Sequence, residues 1–142
     1  MTNSKEFYSY NRDINGYKII NESYNANFDS MREAVVNLGK MNGRKIAVLG
    51  DMLELGDYSK EIHTNIGKVV NENNIDILVT VGNESKYIDE EARCEKRHFN
   101  TNQEANEYLK SIVQDNDVIL VKASNSLKFI EIVNCLKGEE NE

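Results

Sequence analysis

Short apolar runs separated by longer amphipathic stretches recur through this chain from Tyr17 to Leu136. Lys45-Ile46-Ala47-Val48-Leu49, Ile75 to Val81 and Asp117-Val118-Ile119-Leu120-Val121 have strand length, and each is followed by residues with helical period. A strand covered on both faces reads as a near-continuous apolar run, because neither side of it meets water. The repeated order of strand then helix predicts an α/β sandwich with a mainly parallel sheet, in which 45–49, 75–81 and 117–121 are adjacent or nearly so.

The remaining elements fit between these runs. Tyr17-Lys18-Ile19-Ile20 reads as a strand after an Asn15-Gly16 turn, with residues 7–10 able to form a hairpin with it. Ser30 to Glu33 matches a capping box, followed by Met31, Ala34, Val35 and Leu38 on one helical face. Residues 59–73 carry a second stripe of Ile62, Ile66, Val69 and Val70. A short helix at about 85–92 and a small strand at 97–99 precede a second capping box, Thr101 to Glu104. That box opens a helix with Ala105, Tyr108, Leu109, Ile112 and Val113, and the last helix spans Leu127 to Leu136. Proline is absent, so Gly, Asn, Asp and Ser must make the turns.

A length of 142 residues suits one domain. Its core is expected over about 15–137, with 138–142 as an acidic tail. The 24 acidic residues against 17 basic, a net charge of -7, argue against a nucleic-acid surface. No apolar run approaches the roughly 20 residues of a bilayer span. Cys94 and Cys135 fit no metal or redox spacing, and the first ten residues contain no apolar core like that of a signal peptide. These features predict a cytoplasmic domain. His63 and His98 have no second His or Cys at ligand spacing and read as structural or surface residues.

In open α/β sheets, ligands gather beyond the carboxyl ends of the strands. Three polar stretches are expected there: Asn21 to Ser30, Gly50 to Tyr58 and Lys122 to Ser126. The first offers Glu22, Ser23, Tyr24, Asn25, Asn27 and Asp29. Amide side chains both donate and accept, which suits a ribose or purine, and Tyr24 could stack on a base. The same residue types also build Asx turns and helix caps. In the second, Asp51 and Glu54 could orient a metal-bound water or an amine, or cap the helix that follows. In the third, Lys122 could meet a phosphate as a point charge or extend to solvent. Neither Gly-x-x-x-x-Gly-Lys-Ser/Thr nor Gly-x-Gly-x-x-Gly occurs, so the chain brings no phosphate cradle of those kinds.

"IINESYNANFDSMREAVVNL", "GRKIAVLGDMLELG", "HTNIGKVV" and "VILVKASNSLKFIEIV" resemble the C-terminal domain of the Mur ligases over about residues 15–137. The first two blocks resemble the branch that adds D-alanyl-D-alanine to a peptidoglycan precursor. The resemblance implies a Rossmann-like three-layer sandwich that closes over ATP. It also implies N-terminal and central domains outside this sequence, the central one carrying a Gly-Lys-Thr phosphate loop. Mg²⁺ belongs to the complete enzyme, and no ligand for it is identified here. By this resemblance Glu22, Tyr24, Asn25 and Asn27 face the nucleotide, while Lys122, Ser124 and Asn125 lie toward the D-Ala-D-Ala acceptor or precursor. The chain alone is expected to be inactive. The other reading left open is a stand-alone degenerate domain acting as a binding or regulatory module.

The departures are specific. Where the family reads Asp-Ser-Tyr-Asn-Ala-Asn-Pro, Glu22 replaces the Asp and Phe28 the Pro. Where it reads Lys-Gly-Ser-Arg-Gly, this chain has Lys122-Ala123-Ser124-Asn125-Ser126. Two glycines that permit close backbone approach and one guanidinium fork are thereby lost.

Overall fold

The computed structural model describes residues 9, 10 and 16–138. Among these residues, six strands form one sheet: β1 (Ser9–Tyr10), β2 (Lys18–Glu22), β3 (Lys45–Gly50), β4 (Ile77–Val81), β5 (Glu95–Phe99) and β6 (Val118–Lys122). Their order is β1-β2-β6-β3-β4-β5. β1 runs antiparallel to β2, and the other four pairings are parallel. The three long apolar runs therefore sit side by side, as β6-β3-β4. Of the expected hairpin, residues 9 and 10 pair with β2; residues 7, 8 and Asn15 lie outside the described residues, as do 139–142 of the acidic tail.

Among the described residues, five α-helices cover the sheet: α1 (Phe28–Gly39), α2 (Ser59–Asn71), α3 (Lys86–Glu91), α4 (Asn102–Ile112) and α5 (Ile130–Leu136). Successive strand side chains point to opposite faces, so each run serves two cores. Ala47, Leu49, Leu78 and Leu120 pack with Met31, Val35, Ile66, Val70 and Ile88 of α1, α2 and α3. Ile46, Val48, Val79, Ile119 and Val121 pack instead with Leu109, Ile132, Val133 and Leu136 of α4 and α5. The result is a three-layer α/β sandwich with helices on both faces. Among the described residues, no helix is long and apolar enough to cross a membrane.

Two helix starts differ from the sequence reading. α1 begins at Phe28, and its capping box joins Asn27 to Ser30 rather than Ser30 to Glu33. Asn27 Oδ1 accepts the Ser30 amide at 2.9 Å, and Ser30 Oγ accepts the Asn27 amide at 3.1 Å. Phe28 packs against the core, which draws the first turn two residues upstream. Position 28 is the first helical residue, where proline's fixed φ is also tolerated, so the exchange of Pro for Phe leaves the helix start intact. α5 begins at Ile130, because Asn125–Leu127 form a 3₁₀ turn and Lys128 is left-handed at φ 59°.

Candidate functional site at the carboxyl edge of the sheet

From β2 the chain passes through α1 to β3, two positions away, and β6 fills the gap last. This reversal of strand order is where open α/β sheets form a crevice. It brings together the ends of β2, β6 and β3, and with them the three polar stretches.

Glu22 and Lys122 are the final residues of β2 and β6 and are register partners. Alternation along both strands turns them toward the α1 face. Lys122 is 1% exposed and Glu22 4%. Lys122 Nζ donates to Glu22 Oε1 at 2.8 Å and to the Asn25 carbonyl at 3.0 Å. It also lies 5.8 Å from the centre of the Tyr24 ring. Lys122 therefore neither extends to solvent nor offers its charge at the surface; it points into the base of the 22–27 loop.

The loop divides its polar groups between inward and outward work. Asn21 Oδ1 accepts from the amide and hydroxyl of Ser23 at 3.0 and 2.6 Å, which makes an Asx turn. Asn27 caps α1, while Ala26 is buried beneath the loop. Tyr24 and Asn25 are exposed at the rim. Burial, and then the Glu22 carboxylate, push the Tyr24 phenol above its ordinary range, so it stays a neutral hydrogen-bonding ring at physiological pH.

The Gly50 to Tyr58 stretch is organised inward too. Asp51, 5% exposed, accepts the amides of Asn83, Glu84 and Ser85 at 3.1, 3.0 and 2.7 Å. It therefore caps the turn leading into α3, not the helix that follows it in sequence. Glu54 is exposed and left-handed, at φ 66°. Ser124 joins this stretch to the end of β6. Its amide donates to the Asp51 carbonyl at 3.2 Å, and its Oγ accepts the Leu53 amide at 3.1 Å. Asn125 is exposed in the 3₁₀ turn beyond. His63 is fully buried and supports the same loop from α2, and His98 bonds Thr80 at 2.7 Å.

The Glu22–Lys122 pair and the His63 support were not readable from spacing. The first joins residues 100 apart, and its only sequence signal is that each closes an apolar strand. The second joins residues 11 apart across a loop of irregular backbone.

This edge carries an exposed aromatic face, an adjacent amide and a loop fixed from below. It does not supply a phosphate cradle. Among the described residues, no group of three or more His, Cys, Asp or Glu could hold a metal ion.

Known proteins share this architecture and its sequence blocks. The chain is 37% identical over 128 residues to UDP-N-acetylmuramoyl-tripeptide–D-alanyl-D-alanine ligase of Bacillus subtilis, covering 85% of this chain and 28% of that protein. It is 36% identical over 121 residues to the ligase of the same name from Escherichia coli, covering 84% and 26%. A crystal structure of MurF from Acinetobacter baumannii superposes with a TM-score of 0.85 at 27% identity, over 97% of this chain and 31% of that one. MurF ligase from Thermotoga maritima, in complex with ADP, superposes at 0.80 with 25% identity, over 93% and 30%. The chain thus spans little more than a quarter of the length of these curated relatives. Residues 8–125, which include all three polar stretches up to Asn125, match the Mur ligase, glutamate ligase domain, and the chain belongs to that family.

Proposed function

We propose that this chain is the C-terminal, cleft-closing domain of an ATP-dependent ligase that adds D-alanyl-D-alanine to UDP-N-acetylmuramoyl-tripeptide. The observation that carries the reading is the rim at the strand-order reversal, where Tyr24 and Asn25 are exposed on a loop anchored by Glu22 and Lys122. The names of the relatives supply the reaction, and the ADP complex of the Thermotoga maritima protein supports a nucleotide. Tyr24, Asn25 and the free amide edge of Asn27 form the nucleotide-facing wall. Ser124 and Asn125 stand toward the acceptor. The phosphates and Mg²⁺ are left to the rest of the enzyme, with the phosphate loop on the central domain, in keeping with the share of the relatives that this chain covers. Bound ATP would supply the leaving group that activates the tripeptide carboxylate; this chain's part is to orient and enclose.

A chimera tests this directly. The chain replaces the corresponding 28% of the Bacillus subtilis ligase. D-Ala-D-Ala-dependent ADP release is expected from the chimera and none from the 142-residue chain alone. A folded chimera that binds its UDP-tripeptide but does not ligate would sink the reading.

The stand-alone binding module is favoured by one observation: Ala123, Asn125 and Ser126 stand where the family has two glycines and an arginine. NMR titration of the isolated chain with ATP separates the two readings. A retained nucleotide wall predicts shifts concentrated at residues 21–30, with affinity near millimolar, about -4 kcal/mol. Saturating shifts elsewhere would favour the module.

A further inference from the structure

We infer that Lys122 is a positioning residue for the nucleotide-facing loop, with its ammonium holding the loop backbone in place instead of binding a substrate. An ammonium has three N–H donors and no acceptor. Here one goes to Glu22 Oε1 at 2.8 Å and a second to the Asn25 carbonyl at 3.0 Å, and the Tyr24 ring lies over the same nitrogen. Only 1% of the residue is exposed, so its charge acts inside the fold rather than at the surface.

The arrangement joins three parts of the loop: the strand end at Glu22, the aromatic face at Tyr24 and the carbonyl of Asn25. Glu22 balances the buried charge, and the bond to Asn25 sets where the exposed rim stands. The ring-to-cation distance falls within the range of a favourable cation–π contact. The longer side chain of Glu22, where the family has Asp, lets the carboxylate reach the ammonium across the strand pair while both backbones stay in register. Ala123, which stands in place of the family's glycine after Lys122, is fully buried in the core on the opposite face of the sheet.

This inference rests on the reading of the 22–27 loop as the nucleotide wall, but its structural half can be tested without that reading. Glu22→Gln, Lys122→Met and the double variant are made in the 142-residue chain. A buried ion pair that only neutralises itself can be replaced by neutral side chains with little loss, whereas removal of one partner leaves a buried charge. Lys122→Met should therefore lower the melting temperature, and the double variant should regain most of it. If Lys122 positions the loop, amide exchange at Tyr24, Asn25 and Ala26 should stay at least about tenfold faster than wild type in the double variant. In Glu22→Gln, where the Asn25 bond persists, it should remain close to wild type. Return of loop exchange to wild type in the double variant would overturn the inference. So would a double variant that does not fold, since the pair would then belong to the core alone.

The chimera adds a kinetic readout. Loss of about one hydrogen bond's worth of positioning should raise the KM for ATP about fivefold to tenfold in the double variant. The KM for D-Ala-D-Ala should stay within about twofold, by the same conversion. The opposite split, with the acceptor KM rising alone, would make Lys122 an acceptor ligand and overturn the inference. A chimera inactive even with wild-type Lys122 counts against the proposed function, and the exchange measurement then decides the positioning role by itself.

Discussion

The Nε2 atom of His63 accepts the amide proton of Met52 at 3.0 Å, and both residues are buried. An amide can only donate, so the ring proton sits on Nδ1, which faces the Ser59 carbonyl at 2.8 Å. One imidazole thereby ties the start of α2 to the loop after β3. His63→Ala should leave the Met52 amide without a partner, a cost of about 1–3 kcal/mol before any cavity is counted. His63→Gln, whose side-chain oxygen can take the same proton, should recover part of it. Urea midpoints of the two variants check this, and equal losses would count against the Met52 bond as the cause.

Asp51 and Gly82 form a second coupled pair. Asp51 receives three amides from the turn after β4, while Gly82, at φ +127°, has its missing side-chain position directed at the carboxylate. A Cβ at position 82 would collide with Asp51 Oδ1. Asp51→Asn turns one accepting oxygen into a donor facing other donors and should cost about 1.5–3 kcal/mol. Gly82→Ala should destabilise as well, and by less in an Asp51→Ala background than in wild type, since only the backbone strain remains. A double-mutant cycle reads that coupling, and strict additivity would refute it.

The layer order was legible because it rests on periods that survive any tertiary context. Ile46 and Val48 face one core, and Ala47 and Leu49 the other, as alternation demands. The convergence of the three polar stretches followed from strand direction alone. What each side chain does at that edge was less legible. Asp51 could be read as a cap, but its recipient lies more than thirty residues away, across a neighbouring strand. Lys122 looked like an exposed charge because its last-strand position hides the register that sets Glu22 beside it. Asn27 and Ser30 are both good capping residues, and the start of α1 at Phe28 goes with the Asn27 cap and with Phe28 packed against the core.

At the opposite edge of the sheet, Arg44 grips Asp117 with two nitrogens, Nε to Oδ1 at 3.0 Å and Nη2 to Oδ2 at 2.8 Å. Nη2 also donates to the Ile112 carbonyl at 2.6 Å, which ties the end of α4 to the start of β6. The Asp117 hydrogen bond raises the guanidinium's already high pKa. Arg44→Lys keeps the charge but loses the planar fork, and should cost roughly 1 kcal/mol. Arg44→Met leaves the buried Asp117 carboxylate, among the described residues, with the Gln114 amide alone, and about 2 kcal/mol is expected, below the roughly 3–5 kcal/mol of a fully buried pair. Denaturation of the two variants at neutral pH tests the order, and a lysine variant as unstable as the methionine one would show that the second nitrogen carries the whole effect.

Tyr24 provides a prediction whose sign depends on its surroundings. Its phenol is raised above the ordinary tyrosine range by burial first and by the Glu22 carboxylate second. Ionisation makes an anion, so a raised value means that the folded state holds this proton more tightly than the unfolded chain does. The corresponding stability is complete below the ordinary tyrosine range and is lost as pH climbs through the folded value. Tyr24→Phe has no such proton and should show a flatter alkaline limb between about pH 9 and 11. The difference between the two proteins, taken from urea midpoints across that range, isolates the contribution of Tyr24. Glu22→Gln should bring the Tyr24 midpoint down only part of the way, because burial is the larger cause and remains. Observation of Tyr24 by carbon-13 NMR of the phenol ring carbon reads that midpoint. A Tyr24 that ionises with free tyrosine, or that returns fully to it in Glu22→Gln, would show that burial does not hold the proton.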